Sequence, residues 1–228
     1  MYADSASVLL DSIQAPDELT DKDFAHWCML CGKVTDEAAT GLLPIYQWQR
    51  AQQWFTEHGT AEEQAQIDLY LGRAYVEDGE YDKAMQIYAD ALQLAKEHQA
   101  YNVAGYICAY MADLYGFRDI TSECLKKREE ACEFFKKAEN YKSYAYSLKD
   151  LAGEWAILDS FACTIPLLQK ADSISQLLHN KNLTAAIANA FALIYEMQGK
   201  YNEAETAYLK AISTRSEESY KDSIGLLK

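Results

Sequence analysis

The sequence has few residues that interrupt helices and few basic residues. Its 228 residues include 10 glycines and 3 prolines, too few for a collagen-like or disordered chain. Its 35 acidic residues outnumber the 21 basic ones, which gives a formal net charge of -14. Because such a surface repels phosphate groups, we expect no nucleic-acid partner and no attraction to anionic membranes.

Long apolar stretches and known catalytic patterns are also missing. No stretch approaches the roughly 18 to 20 apolar residues of a membrane-spanning helix, so we expect no membrane insertion in this segment. The first ten residues carry no basic group and do not resemble a signal peptide. The sequence holds no nucleophile elbow, phosphate loop or HExxH motif. These absences predict a non-enzymatic protein that needs no cofactor, although an enzyme with an unrecognised site stays open.

The negative charge is concentrated near the N-terminus. Residues 1–64 carry 11 acidic and 3 basic residues, a net charge of -8, whereas residues 105–144 carry 7 of each. If a partner is steered by charge, we expect its basic part to meet the first third of the chain.

Small residues recur along the chain with a period of 40 residues. In units that begin at residues 25, 65, 105, 145 and 185, the twenty-seventh place is always alanine. The eighth place is always small: Gly32, Gly72, Ala112, Ala152 and Ala192. Apolar residues in each unit follow helical spacing, and turn residues such as Gly79 separate two helical segments. The period therefore predicts pairs of antiparallel helices that approach closely at the small residues.

Two stretches carry a resemblance to a known repeat. LGRAYVEDGEYDKAMQIYADAL (71–92) and ALIYEMQGKYNEAETAYLKAI (192–212) resemble the consensus of the tetratricopeptide repeat (TPR) family. The resemblance implies an all-α, right-handed superhelical solenoid of about five antiparallel helix pairs. The usual TPR unit has about 34 residues, so the longer period here predicts longer helices.

The period and the resemblance together divide the chain. We expect an N-terminal helix near Ser5 to Ile13 and a linker, together a half repeat, in residues 1–24. Five units follow over residues 25–64, 65–104, 105–144, 145–184 and 185–224. Residues 225–228 form the C-terminal end. Because the array stops just inside a sixth unit, we expect this chain to be a fragment of a longer protein whose uncapped ends pack end to end.

The N-terminal stretch carries a narrower resemblance. Residues 3–34 followed by long units are similar to the sensory regions of envelope-anchored TPR proteins common in Bacteroidetes. This resemblance implies a scaffold or sensory part of a larger signalling protein, located in the periplasm. Without it, a cytoplasmic location is expected.

Cysteine and histidine patterns suggest packing rather than chemistry. Cys28 and Cys31 form a CxxC spacing, but the motif lies inside a helical segment and no second ligand pair follows. His58 and His98 share the thirty-fourth place of their units, where second helices are expected to end. We therefore predict no metal site.

The predicted functional surface is a concave groove lined by the first helix of each unit. The TPR resemblance implies contacts from the second, fifth, ninth, twelfth and thirteenth places. The candidate partner-binding residues are Met29, Lys33, Leu69, Arg73, Tyr106, Phe117, Tyr146, Lys149 and Asn189. The same places also give His26, Asp36, Glu37, Gln66, Val76, Glu77, Ala109, Asp113, Gly116, Gly153, Ala156, Ile157, Ala186, Leu193, Glu196 and Met197.

The chemistry of these groove residues indicates the kind of ligand. Aromatic, aliphatic and a few charged groups alternate along this wall, which favours a protein or amphipathic peptide ligand. A carboxylate clamp of the kind found in TPR co-chaperones is disfavoured, because Lys33 and Arg73 have no asparagine beside them and Asp113 intrudes. Self-association with another copy is an alternative function.

Overall fold

The computed structural model describes residues 2–38 and 41–225, and within these ranges the chain is helical without a β-strand. The chain divides into two compact parts, residues 1–114 and residues 115–228, which we call unit 1 and unit 2. Each of them contains more than one 40-residue repeat. The helices are α1 (Tyr2–Asp11), α2 (Asp21–Ala38), α3 (Ile45–His58), α4 (Ala61–Glu77), α5 (Tyr81–Glu97), α6 (Tyr101–Phe117), α7 (Thr121–Lys137), α8 (Tyr141–Ile157), α9 (Phe161–Leu177), α10 (Lys181–Met197) and α11 (Tyr201–Gly225).

The 40-residue period corresponds to two helices and two connectors. Each helix from α4 to α10 has 17 residues, and a three-residue connector follows it. The helices therefore start every twenty residues, from residue 61 to residue 201. The unit starts of the sequence pattern lie four residues after the starts of α2, α4, α6, α8 and α10. Longer helices in place of longer loops account for the extra residues of the period.

Each helix from α4 to α10 ends in the same way. The second connector residue has a positive φ angle, at Gly79, Gln99, Asp119, Glu139, Asp159, His179 and Gly199. The N–H of the following residue donates to a carbonyl five residues earlier, as from Glu80 to Tyr75 at 2.8 Å. This Schellman arrangement satisfies carbonyl groups that the helix end would otherwise leave without donors.

Side chains also fix several helix starts. Thr60 caps α4 in a capping box, in which its hydroxyl accepts from the Glu63 N–H and the Glu63 carboxylate accepts from the Thr60 N–H at 2.9 Å. Asn140 and Asn180 cap α8 and α10 by accepting from backbone N–H groups at 3.1 and 3.0 Å. These caps define the boundaries that the repeat pattern locates only approximately.

The glycines of the eighth place lie in tight helix contacts. In unit 1, a Cβ atom added to Gly72 would lie 2.2 Å from Cε1 of Tyr88, and one added to Gly32 would lie 2.4 Å from Cε2 of Tyr70. The alanines of the twenty-seventh place are all buried: Ala51, Ala91, Ala131, Ala171 and Ala211. The interpretation of the eighth place as a tight helix contact is therefore confirmed at Gly32 and Gly72, whereas the tight crossing at the twenty-seventh place stays a prediction.

Unit 1 has an aromatic core. Phe24, Trp48, Phe55 and Tyr70 are buried together in the cluster formed by α2, α3 and α4. The predicted N-terminal helix is present as α1, which packs on α2, and a 3₁₀ turn at Pro16–Glu18 follows it.

One arginine holds the linker of unit 1 in place. Arg50 on α3 donates to the Asp21 carboxylate at 2.8 Å and to the Leu19 carbonyl at 3.1 Å. Its guanidinium carbon lies 4.1 Å from the centre of the Phe24 ring. Arg50 therefore joins the start of α2 to α3 by charge and by stacking.

One buried cluster in unit 2 consists of smaller residues. Ala152, Ala156, Leu168 and Ile194 are buried together, and α8 packs against α7, α9 and α10. The contact of α8 with α10 brings two first helices side by side, as a helix-pair repeat requires. Of the last four residues, 226–228 lie outside the described residues, as do the side chains of Asp36 and Glu37.

Candidate functional site

The nine candidate groove residues differ in how much surface they offer. Lys33, Phe117 and Asn189 are exposed. Another four are partly buried: Arg73, Tyr106, Tyr146 and Lys149. Met29 and Leu69 retain only 6% and 2% of their surface, because they pack inside unit 1, so they offer little area to a ligand.

In unit 1, Arg73 lies against two aromatic rings. Its guanidinium carbon is 4.9 Å from the centre of the Tyr110 ring and 5.9 Å from that of Tyr70. Tyr110 stacks on buried Tyr88 with ring centres 6.3 Å apart. Burial raises the pKa of Tyr88 far above its usual value, so this phenol stays neutral. The positively charged Arg73 guanidinium therefore lies against a group of aromatic rings.

In unit 2, a cleft lies between the first helices of two successive pairs. This α8/α10 cleft has a volume of about 330 Å³. Its lining residues are Arg128, Lys149, Asp150, Gly153, Glu154, Ala156, Ile157, Leu168, Ala190, Leu193, Ile194 and Met197. Six of them hold predicted groove places: Lys149, Gly153, Ala156, Ile157, Leu193 and Met197. Tyr146 and Asn189 do not line it.

The apolar wall of the α8/α10 cleft is exposed to solvent. Ile157 retains 70% of its surface, Met197 51% and Leu193 48%. Clustered apolar side chains with this exposure are unusual on a water-soluble surface and often mark a binding site. The wall can therefore receive apolar side chains of a ligand.

The rim of the α8/α10 cleft carries charges of both signs. Arg128 pairs with Glu154 at 3.5 Å, and Lys149 donates to the neighbouring Asp150 carboxylate. Because the two pairs balance, the cleft has no net charge. It suits a ligand with mixed polar groups better than a highly charged one.

Six lining residues do not hold predicted groove places: Arg128, Asp150, Glu154, Leu168, Ala190 and Ile194. Arg128 could have been noticed in the sequence, because it stands where the TPR pattern prefers an aromatic residue. Leu168 holds the same place in the next repeat and departs from the pattern in the same way, whereas Ile194 looks like an ordinary core position.

Four of the six cysteines are buried, as the sequence suggested. Cys28 is fully buried, and its thiol donates to the Gln47 carbonyl at a sulfur–oxygen distance of 3.8 Å. Burial raises the pKa of Cys28 far above its usual value and that of Cys132 to about 12. A raised pKa suppresses the reactive thiolate, which is the opposite of a redox cysteine. Cys163, in contrast, is exposed.

Metal sites and membrane spans are both missing from the described part of the chain. Its residues hold no group of three or more His, Cys, Asp or Glu side chains close enough to bind a metal ion. None of the described helices is both long and apolar enough to cross a membrane. His58 is the last residue of α3 and His98 caps α5, so their predicted location at second-helix ends is confirmed.

Two segments match models of the tetratricopeptide repeat. They cover residues 71–99, in α4 and α5, and residues 184–218, in α10 and α11. No curated protein matches the sequence. The comparisons indicate no catalytic family.

Solved structures with this arrangement of helices come from several sources. BtubC (BKLC) from P. vanneervenii has a TM-score of 0.71 at 16% identity, over 95% of this chain and 91% of its own. A kinesin light chain candidate from P. anserina with nearly identical TPR-like repeats has a TM-score of 0.64 at 13% identity, over 91% and 99%. Aspartyl phosphate phosphatase F from Bacillus subtilis has a TM-score of 0.64 at 10% identity, over 86% and 61%.

These likenesses concern the fold alone, because all three identities are low. They confirm the predicted class, an all-α, TPR-like solenoid. The chain carries tetratricopeptide repeats, and proteins with such repeats serve as scaffolds for protein interaction.

Proposed function

We propose that this chain is a non-enzymatic scaffold that binds a peptide segment of a partner protein in the α8/α10 cleft. The observation that supports this most directly is the exposed apolar wall formed by Ile157, Leu193 and Met197. A free protein gains nothing from keeping these side chains in water, whereas a ligand that covers them removes apolar surface from solvent.

The charged rim suggests how such a segment is oriented. Arg128 and Glu154 keep only 12% and 18% of their side-chain surface, so their pair is largely fixed before a ligand arrives. Lys149 and Asp150 are more exposed and can exchange their contact for ligand groups. An amphipathic helix with apolar residues on one face and mixed polar residues at its edge fits this arrangement.

A peptide selection tests the proposal and does not require the partner to be identified first. Peptides are selected from a random display library on the whole chain, and the affinity of the best ones is measured by calorimetry. Leu193→Ser should weaken binding at least tenfold, because the substitution removes apolar area from the cleft wall. Leu209→Ser on α11 is the matched control, since Leu209 is similarly exposed and lies outside the cleft.

Two results would count against the cleft. One is that Leu193→Ser and Leu209→Ser lower the affinity equally. The other is that the selected peptides respond to changes at Arg73 or Tyr106 in unit 1 and not to Leu193→Ser. Circular dichroism of each variant ensures that a lost fold is not mistaken for a lost site.

The wider role that we propose is the sensory or scaffold part of a signalling protein. Its support is the likeness of residues 3–34 and the long repeats to envelope-anchored regulators, together with the absence of a nameable catalytic set. Fractionation of cells that express the native protein tests the role. Recovery with the envelope supports it, and recovery only with the soluble cytoplasmic fraction contradicts it.

A further inference from the structure

A second cleft in unit 2 shares no residue with the α8/α10 cleft. It lies where the end of α7, the start of α8 and the second half of α9 meet, and its volume is about 430 Å³. We call it the lysine cleft, and its lining residues are Lys136, Tyr141, Tyr144, Lys170, Ile174, Leu177 and Leu178. Leu177 keeps 80% of its surface, Tyr141 47% and Leu178 42%, so its apolar wall is also exposed.

The charges of the lysine cleft are all positive. Lys170 Nζ lies 5.2 Å from the centre of the Tyr144 ring, and Lys136 is exposed beside it. Neither lysine forms an ion pair within the part of the chain that the structure describes. No acidic residue lines the cleft. On a chain with a net charge of -14, this is a local site of opposite sign.

An occupant of the lysine cleft must therefore combine large apolar side chains with carboxylates. Helix α1 of this protein has that chemistry. Val8 and Leu9 keep 68% and 70% of their surface, while Leu10 packs into the core of unit 1. The helix contains Asp4 and Asp11 and no basic residue.

We propose that helix α1 of one copy docks into the lysine cleft of a second copy. Val8 and Leu9 cover Leu177 and Leu178, and the negative charge of α1 complements Lys136 and Lys170. Elsewhere two chains of charge -14 repel each other, so this contact selects the orientation. One helix in one cleft is a small interface, so we expect the association to be weak and reversible.

Helix α11 fits the same cleft less well. Leu209 and Ile212 are exposed on it, but α11 also carries the basic residues Lys210 and Arg215, whereas α1 carries none, and Lys210 already pairs with Asp172 of α9 at 3.3 Å. Like charges brought together in this way oppose docking. Charge complementarity therefore favours α1.

Sedimentation equilibrium of the whole chain, from about 1 µM to about 1 mM, tests the proposal. We expect reversible association that weakens as salt concentration rises. Leu177→Asp should weaken it at least tenfold, because it places a negative charge in the apolar wall. Leu209→Asp, which changes another exposed leucine outside the cleft, should leave it unchanged.

Charge exchange gives the sharper test. Changing Asp4 and Asp11 to lysine should weaken association at least fivefold, and so should changing Lys136 and Lys170 to glutamate. A chain with all four changes should associate again, since the attraction is restored with reversed signs. Recovery of this kind cannot result from a variant that fails to fold.

Three results would overturn the proposal. The chain could stay monomeric over the whole range, or its association could be insensitive to Leu177→Asp. Association could also be lost with Leu177→Asp and kept when Val8 and Leu9 are both changed to aspartate. In that last case a segment other than α1 occupies the cleft.

Discussion

The two units build the same helix pair from different side chains. The repeat at residues 65–104 lies in unit 1 and the repeat at residues 145–184 lies in unit 2. At the fourth place the first has Asp68 and the second has Leu148, and at the eighth place the first has Gly72 and the second has Ala152. At the thirteenth, Glu77 in unit 1 contrasts with exposed Ile157 in unit 2. Small residues recur at the eighth place in both units, whereas the thirteenth place differs in chemistry and gives each unit a different exposed surface.

The largest effect that we expect is a pH dependence of the unfolding free energy that arises from the carboxyl group of Asp68. Burial raises its pKa to about 6, although Gln52 donates to it at 2.6 Å. The folded state therefore holds this proton more tightly than the unfolded state, whose pKa is near 3.8. The contribution of Asp68 to the unfolding free energy should therefore be greatest below pH 4 and fall by about 3 kcal/mol as pH rises through 6.

Chemical denaturation of Asp68→Asn between pH 4 and pH 8 checks this expectation. Asparagine keeps an oxygen that accepts from Gln52, so the variant should lose most of this pH dependence and be more stable than the parent at pH 8. Asp90→Asn removes a nearby negative charge that raises the pKa of Asp68 and should cause a much smaller change. An unaltered pH profile in Asp68→Asn would contradict the assignment.

Replacing Gly72 in unit 1 should be costly, whereas replacing Gly153 in unit 2 should not. Gly72→Ala would bring a methyl group against the fully buried Tyr88 ring, and we expect a cost of about 2 to 3 kcal/mol. Gly153→Ala in unit 2 is the control, because nothing lies within 4 Å of its added Cβ and alanine favours a helix by about 0.5 to 1 kcal/mol. Thermal melts of both variants measure the contrast, and equal melting temperatures would argue against it.

Alanine at the twenty-seventh place should matter equally in both units. Ala91 and Ala171 retain only 1% and 0% of their surface. Replacing either by leucine should overpack a helix crossing and cost about 2 kcal/mol. Urea denaturation gives the two free energies, and a loss confined to one unit would show that this place is not equivalent along the chain.

The smallest expected effect lies in the connectors. Gly79 has a φ of 79° and nothing near its missing Cβ, so Gly79→Ala should cost about 1 kcal/mol through backbone strain alone. Glu139 in unit 2 has a φ of 56°, and Glu139→Gly should gain about 0.5 kcal/mol. Melting temperatures that move in opposite directions support the comparison, and shifts of the same sign would break it.

Most of the fold could be predicted because its signals are local and repeated. Five alanines in one register predicted positions that are buried in the structure, and the small residues in another predicted the tight contacts at Gly32 and Gly72. The residues at which the helices begin were harder to predict. Thr60, Asn140 and Asn180 mark helix starts, but a capping residue resembles any other polar residue until its N–H partner is known.

The surface could be predicted only in part, for a geometric reason. The TPR pattern selects places on first helices, and these places include Ile157, Leu193 and Met197, which line one cleft in the structure. The pattern did not predict that Met29 and Leu69 are buried. Successive side chains on a helix point in directions about 100° apart, so a small difference in helix orientation moves a side chain from the groove into the core. The lysine cleft joins three helices, so no single stretch of sequence contains it.

The short connectors also restrict how this chain can change in length. Each connector between α4 and α11 has three residues, and a backbone hydrogen bond returns from its third residue to the preceding helix. One residue inserted into a helix would rotate every later side chain by about 100° and move the small residues away from their crossings. Such an array tolerates duplication or loss of whole helix pairs far better than a single-residue insertion. Variation in length is therefore restricted to steps of the repeat.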